Sequence, residues 1–329
     1  MDWKSDAKGQ EIFVDDSLPG KIRKEFLAHQ WDIRSWECEK YRPWLLNFKE
    51  VHSWNDFLNW MGFGLSRKNP VEENKQWVFW SLGPKLKNFD FRRAPKEKMV
   101  LFMWEPEVVQ PESHDPEIHK CFGKIFTWDD DLVDNVKYFK FHYPVWGERI
   151  EHVTPFEEKK FCTLINGRLC SKHPKQLYGE REKMIRFFED KDGEFDLYGK
   201  YWEKRNYKNY RGAIGDKIAV LKNYKFCICY ENTKDVRGYV TEKIFDCFKA
   251  GVVPVYLGAS NICDYVPKEC FVDRREFKDD QAVYDFLKNM NQEMYAEYLM
   301  SAENFLKSEK STVFSENYFI ETFLQMYLN

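Results

Sequence analysis

No stretch of this chain stays apolar for the roughly 18 residues that a membrane-crossing helix needs, so no integral membrane segment can be drawn on it. Residues Met1–Gln10 also lack the basic-then-apolar order of a secretion signal. No Cys-x-x-Cys pair occurs among the 9 cysteines, and no His or Cys partner stands at zinc-site spacing from Cys227 and Cys229, two neighbours on one strand face. A structural zinc site is therefore not expected. Cys162, Cys227, Cys229 and Cys247 lie in apolar patterns, where a free thiol behaves as a small hydrophobe. An odd cysteine count with this placement fits a reducing compartment, so a cytoplasmic location is expected, with peripheral membrane association as the variant. Charge of one sign is missing too. Lys and Arg number 51 against 54 Asp and Glu, a net of −3. There is no global field to draw nucleic acid or an anionic membrane, and any anion site must be a local arrangement. Internal repeats and low-complexity tracts are absent as well.

What is present is a chain long enough for about two domains, with 43% hydrophobic and 32% charged residues, the balance of a globular protein. Aromatics reach 18%, including 12 Trp and 28 Phe. Rings of this kind can stack on sugars, but core and interdomain packing accounts for most of them. Three regions follow one another. The first carries expected strands at Glu11–Val14, Trp77–Leu82, Met99–Trp104, Lys124–Thr127 and Phe139–Tyr143, with helical patterns that include Lys21–Gln30 and Trp54–Trp60. Ser17–Gly20 and Ser66–Glu73 read as loops. The second shows strand Lys160–Ile165, helix Gly179–Glu189 and strand Phe195–Tyr198. The third is helical: Gln281–Asn289, Gln292–Leu306 and Glu316–Leu328. Strands alternating with helices in both halves point to an α/β fold with two domains and a cleft between them.

The most informative segment is Tyr224–Phe277. It reads as an apolar strand (Lys225–Tyr230), a polar loop (Glu231–Gly238), an amphipathic helix (Val240–Lys249), a glycine stop at Gly251, a second buried strand (Val252–Leu257) and a small-residue turn (Gly258–Ser260). Such a βαβ unit delivers loops and a helix N-terminus to the carboxyl edge of a parallel sheet, where α/β proteins bind nucleotides. Polar residues gather there: Glu231, Asn232, Thr233, Tyr239, Thr241, Glu242 and Lys243. A Glu-Lys pair in the first helical turn offers a carboxylate to sugar hydroxyls and an ammonium to phosphate oxygens. A generic βαβ unit can carry the same pair with no ligand at all.

The runs CYENT (229–233), GYVTEK (238–243), AGVVPVYLG (250–258) and FVDRREF (271–277), in this order and spacing, resemble the donor-binding signature of the α1,3-fucosyltransferases, glycosyltransferase family 10. The resemblance is strong from Phe161 to Phe277 and weaker before. It implies a GT-B type fold, two facing Rossmann-like domains with a C-terminal helix crossing back. Residues 1–153 would form the acceptor-binding domain, 154–310 the GDP-sugar donor domain, and 311–329 the returning helix. The implied reaction moves L-fucose from GDP-fucose, with inversion, to a hydroxyl, expected to be O3, of an N-acetylglucosamine-containing oligosaccharide or glycoconjugate. No cofactor is required on this reading, and a divalent metal is at most stimulatory.

Such chemistry needs positive charge for the departing diphosphate and a base for the acceptor hydroxyl. Lys243 is the first cation. Arg181 is the second, in a helix start that follows the strand end KFCTLING (160–167) and a basic loop with Arg168, Lys172, His173 and Lys175. The resemblance implies a diphosphate role for Arg181, with Asn166 at the preceding strand end, Asn232 and Glu242 holding ribose or fucose, and Tyr239 lining the pocket. The plainer alternative pairs Arg181 with Glu180 or Glu182 on a solvated helix. For the base, apolar Val100–Trp104 runs straight into Glu105-Pro106-Glu107. A carboxylate beside Trp104 gains basicity from partial desolvation, and the family has a glutamate at this strand end, which Glu105 matches. Glu107 is the runner-up. Asp129–Asp131 contains an Asp-x-Asp pattern but is expected in an acceptor-side loop, away from the signature, and not as a metal site. His142 is expected to pack. The chain as given shows neither the membrane anchor of Golgi members nor the heptad repeats and basic tail of some bacterial ones. Its run MWEPEVVQPE (103–112) is its own variant. A transferase for another GDP-sugar and a non-catalytic sugar- or nucleotide-binding protein are the competing readings.

Overall fold

The computed structural model describes residues 95–145, 150, 153–319 and 321–322, together with the strand segments 11–14, 32–35, 37–38, 42–43 and 76–79. The helices expected at Lys21–Gln30 and Trp54–Trp60, the loops at Ser17–Gly20 and Ser66–Glu73, and most of the last expected helix lie outside the described residues. By packing, the chain divides into two units. One comprises Met1–Thr127, Leu132–Phe141 and Ile320–Asn329, the other Trp128–Asp131 and His142–Phe319.

In the first unit the strands are β1 (Glu11–Val14), β2 (Asp32–Ser35), β3 (Glu37–Cys38), β4 (Arg42–Pro43), β5 (Gln76–Phe79), β6 (Met99–Met103), β7 (Lys124–Thr127) and β8 (Tyr138–Lys140). Six of them form one parallel sheet in the order β2-β1-β5-β6-β7-β8, while β3 and β4 make a short antiparallel pair. A parallel sheet covered on both faces favours unbroken apolar strands, and all five residues of β6 are buried. Met99, Leu101 and Met103 pack with Phe122 and Ile125, and Phe102 stacks on Phe126 at 4.5 Å. A short helix α1 (Pro116–His119) starts on the Asp115 carboxylate, which accepts from the Glu117 amide, with Pro116 in the first turn.

The second unit holds β9 (Lys160–Ile165), β10 (Phe195–Tyr198), β11 (Tyr224–Tyr230), β12 (Val253–Leu257) and β13 (Val272–Asp273). They pair in parallel in the order β10-β9-β11-β12-β13. Helices α2 (Tyr178–Phe187), α3 (Lys217–Leu221), α4 (Glu242–Lys249), α5 (Ile262–Tyr265), α6 (Asp280–Asn289) and α7 (Gln292–Leu306) accompany them among the described residues. The period-2 alternation of β11 sorts its side chains into two cores. Phe226, Ile228 and Tyr230 join α2 and α6 through Met184, Ile185, Val283 and Leu287. Cys227 and Cys229 join α3 and α4 through Leu221, Ile244, Phe245, Cys247 and Phe248. The unit is thus helix, sheet, helix. Each fully buried ring such as Phe245 contributes about 1.5–3 kcal/mol of burial free energy.

The α/β class with parallel sheets agrees with the sequence. Four strands, β2, β3, β4 and β13, were not expected: Asp-Ile-Arg-Ser has no apolar run, and the other three are only two residues long. Helix α4 begins at Glu242 and not at Val240. Thr241 is in extended conformation, and its hydroxyl accepts from the Lys243 amide as the N-cap.

Candidate functional site

In the second sheet the strand order reverses between β9 and β11, so their carboxyl ends open a crevice. Asn166 leaves β9 there, and Glu231 and Asn232 leave β11. Helices on opposite faces of the sheet, α2 and α4, bring Arg181 and Lys243 to that edge. Two glycines permit the close packing. Gly199, at φ +133, lies so near the Asn166 carbonyl that a Cβ would come within 2.0 Å of its oxygen. A Cβ on Gly258 would lie 2.5 Å from the Tyr256 hydroxyl and 2.6 Å from Glu231 Cγ.

Arg181 is 2% exposed. Its Nη2 donates to the Tyr230 carbonyl (2.6 Å) and to Asn232 Oδ1 (3.1 Å). The amide oxygen of Asn166, oriented by this network, accepts from Nε (2.9 Å) and Nη1 (2.6 Å). The guanidinium also lies over the Tyr178 ring at 5.3 Å. Glu180 pairs with Lys183, and Glu182 with Arg186 and Arg205, so neither helix carboxylate is Arg181's partner. Among the described residues no carboxylate lies within ion-pair distance of it. Burial pulls its pKa below the ordinary value, yet a guanidinium stays charged. A buried cation held by neutral acceptors is costly by itself and suits an incoming anion.

The opposite arrangement surrounds Lys243. Its ammonium lies 3.1 Å from Glu231 Oε2 and 3.6 Å from Glu242 Oε1, and donates to Thr241 Oγ1 at 3.0 Å. Burial works against its charge, but Glu231 and then Glu242 outweigh it and hold the pKa above the ordinary value. Glu231 is wholly buried. It accepts from the Thr241 amide (3.0 Å) and from the Thr241 hydroxyl (2.8 Å to Oε2), which places a carboxylate against the positive end of α4. Glu242, with its side chain 44% exposed, keeps its carboxyl well below the usual range. Desolvation pushes it up, and the charges of Lys243 and Lys217 more than reverse this.

Asn232 Nδ2 reaches the Tyr239 hydroxyl at 3.5 Å, so Asn232 links Arg181 to Tyr239. The Tyr239 ring is buried, tilted against Trp128 at 4.6 Å and edge-on to Tyr143 at 5.9 Å. This corrects the expectation for the acidic run. Asp129–Asp131 does not lie away from the signature: the Asp130 amide donates to the Arg237 carbonyl (3.3 Å), and Asp131 pairs with Arg237 (3.2 Å). His142 packs among the rings of Tyr265, Phe314 and Tyr318.

In the first unit, Glu105 follows β6 at its carboxyl end and is half-buried, Pro106 is buried and Glu107 is exposed. The Glu105 carbonyl is hydrogen-bonded to His114 Nε2 at 3.0 Å. Trp104 stacks on Phe141 at 5.5 Å.

The structure thus gathers Arg181, Asn232, Tyr239, Glu242 and Lys243 at one sheet edge, with Glu105 at the edge of the other sheet. Sequence reading gave Glu231 no role of its own, although it organises the Lys243 cluster. Its signal was a carboxylate directly after an apolar strand. It also left out Arg275, which pairs bidentately with Asp273 (2.7 Å) and donates to the Ala259 (3.3 Å) and Ser260 (3.0 Å) carbonyls, bracing the turn after β12. The Asp-x-Arg spacing in FVDRREF was the available clue.

Two parallel α/β units, with cations converging at a strand-order reversal, define a glycosyltransferase fold of the GT-B type. A sequence model described as glycosyltransferase family 10 (fucosyltransferase) C-term matches residues 136–323, more than half of the chain. The chain belongs to that family. It is 39% identical over 82 residues to an alpha-(1,4)-fucosyltransferase of Arabidopsis thaliana, covering 24% of this chain and 20% of that one. It is 36% identical over 92 residues to the alpha-(1,3)-fucosyltransferase FucT of Helicobacter pylori, covering 28% and 19%. The alignments therefore span about a fifth of these relatives' lengths. A crystal structure of an alpha1,3-fucosyltransferase with GDP superposes with a TM-score of 0.56 at 15% identity, over 99% of this chain and 92% of that one, a likeness of fold.

Proposed function

We propose that this protein transfers L-fucose from GDP-fucose, with inversion, to the O3 hydroxyl of an N-acetylglucosamine-containing glycan. Residues 154–310 serve the donor and residues 1–153 the acceptor. The observation that carries the reading is the buried guanidinium of Arg181, surrounded by neutral acceptors at the strand-order reversal and accompanied by Lys243 on α4. A diphosphate supplies the missing negative charge. Glu242 and Asn232 hold hydroxyls of ribose or fucose, and Tyr239 closes the pocket wall.

In the reaction the acceptor oxygen attacks the anomeric carbon as the bond from that carbon to the β-phosphate oxygen breaks. The electron pair leaves with GDP, and the hydroxyl proton passes to the Glu105 carboxylate. One base and one in-line displacement give inversion without a covalent intermediate. No metal is needed where two cations already meet the leaving group.

The test is transfer from GDP-fucose to a glycan array, with GDP-mannose in parallel and the product linkage read by NMR. Fucose α1,3-linked to N-acetylglucosamine is expected. GDP binding without transfer to any acceptor would make the protein a binder, and transfer only from GDP-mannose would reassign the donor.

A further inference from the structure

The peptide unit between Arg237 and Gly238 is held at both ends. Its carbonyl accepts from the Asp130 amide (3.3 Å). Its N–H donates to Asn261 Oδ1 (2.9 Å). The ring closes because Asn261 Nδ2 donates to Asp130 Oδ2 (2.9 Å). The other carboxylate oxygen, Oδ1, accepts from the Tyr265 hydroxyl (2.5 Å), which fixes the plane of the carboxylate. One aspartate thus clamps one peptide plane, once with its own amide and once through Asn261.

The clamped unit lies in the loop from β11 to α4, which needs an external anchor. Asp235 and Gly238 both have positive φ, +55 and +80, a conformation that a non-glycine residue holds only when its surroundings impose it. The loop is nevertheless the piece of the site that must be placed accurately. Immediately after Gly238 come Tyr239, whose hydroxyl meets Asn232, and Thr241, which caps α4 and binds Glu231. The ring of Trp128, two residues before Asp130, covers Tyr239.

We infer that Asp130 is a positioning residue for the donor pocket: it holds the β11–α4 loop, and with it Tyr239 and the start of α4, in the ligand-ready conformation before any ligand arrives. The inference deepens the proposed function and rests on it for the ligand. The acidic run then acts on the donor side, through backbone geometry.

The experiment compares the parent with Asp130→Ala, Asp130→Asn and Asn261→Ala. An asparagine at 130 can still accept from Asn261 and hydrogen-bond to Tyr265, so it keeps the clamp without the charge. Hydrogen exchange of the ligand-free proteins reads the loop directly. Residues 237–241 should exchange at least about tenfold faster in the Ala variants, with β11 and α4 unchanged, as expected for the loss of one or two hydrogen bonds. By calorimetry GDP should bind about tenfold more weakly, and the KM for GDP-fucose should rise about as much with kcat within about threefold. Asp130→Asn should restore all three to near the parent. Unchanged exchange in 237–241, exchange raised throughout the protein, or an Asn variant as damaged as the Ala variant would each overturn the inference. If Asp130→Ala does not fold, Asn261→Ala must give the same local effect or the clamp is refuted. A parent that binds no GDP would remove the functional reading, while the exchange data would still decide the clamp.

Discussion

Lys243 carries its charge between two carboxylates, whereas Arg181 carries it among neutral partners, and the two should respond differently to substitution. Lys243→Met strands Glu231, which is wholly buried. Removing one member of a buried ion pair typically costs about 3–5 kcal/mol. The double variant Lys243→Met/Glu231→Gln should recover much of that in urea unfolding, because no uncompensated charge remains. GDP affinity should stay low in both, down by about 10–100-fold, for a lost charge-assisted hydrogen bond. Recovery of GDP binding in the double variant would show that Lys243 serves stability alone. Glu105 makes a different claim at the same scale. Glu105→Gln keeps the shape and removes the basicity, so turnover should fall about 10²–10⁴-fold while calorimetry finds GDP affinity unchanged. Glu107→Gln, an exposed neighbour, should be milder. If the order is reversed, the base is Glu107.

At the scale of elements, the strand ends decide the site. Gly199 places a Cβ-free backbone against Asn166, the residue that holds Arg181. Gly193 also has positive φ, +74, but with nothing within 4 Å. Gly193→Ala should therefore cost only the backbone strain, about 1 kcal/mol. Gly199→Ala adds a clash with main chain that cannot move aside and should lower the thermal midpoint far more, with loss of GDP binding. Equal effects would refute the close-approach argument. Helix α4 ends near a second buried cation. Lys159, 5% exposed, donates to the Gly251 (2.6 Å) and Tyr224 (3.2 Å) carbonyls, and burial lowers its pKa from 10.5 to about 8. A lysine whose folded pKa lies below its unfolded value burdens the fold while charged, and the burden lifts between the two pH values. The stability of the parent minus that of Lys159→Met should thus rise between pH 8 and 10.5, by at most about 1.4 kcal/mol per unit. Parallel stability profiles in urea would rule this out.

These elements also show what the sequence could disclose. The β11–α4–β12 unit was legible because its apolar runs, its glycines and its Glu-Lys pair all agree with one local structure. The place of Glu105 just past a strand end was legible from an apolar run that ends on a carboxylate and a proline. Strand β13 was not, since two residues carry no period, and β2 was not, since its pattern is polar. The Asp130 clamp was hidden for another reason. Its partners, Arg237, Gly238, Asn261 and Tyr265, stand more than a hundred positions away, and only the fold brings them together. The surroundings of Arg181 were likewise invisible, because its contacts are a carbonyl and two amides, with no charge pattern along the helix to announce them.

For the molecule as a whole, the balance of 51 basic and 54 acidic residues provides no general field for an anionic nucleotide. On the proposed function, the charge of GDP must be met at its own site, either by side chains or by a metal ion. In the second unit Arg181 stands at the sheet edge among neutral acceptors and Lys243 between Glu231 and Glu242, while Lys217 pairs with Asp246 at 2.8 Å. The Asp129–Asp131 run is otherwise engaged. Both Asp130 oxygens accept from Tyr265 and Asn261, Asp131 pairs with Arg237, and Asp129 Oδ1 accepts from the Asp131 amide at 3.0 Å. A divalent cation such as Mg²⁺ or Mn²⁺ would have to pull these carboxylates out of their hydrogen bonds to collect its oxygen ligands. Fucosyl transfer should therefore survive EDTA with at least about half of its turnover, the two side-chain cations continuing to stabilise the leaving group. Asp131→Asn should leave the EDTA response as it is in the parent. Complete loss of activity on chelation, reversed by Mn²⁺ and abolished in an Asp129→Asn or Asp131→Asn variant, would instead make the acidic run a metal site and reduce Arg181 and Lys243 to accessory charges.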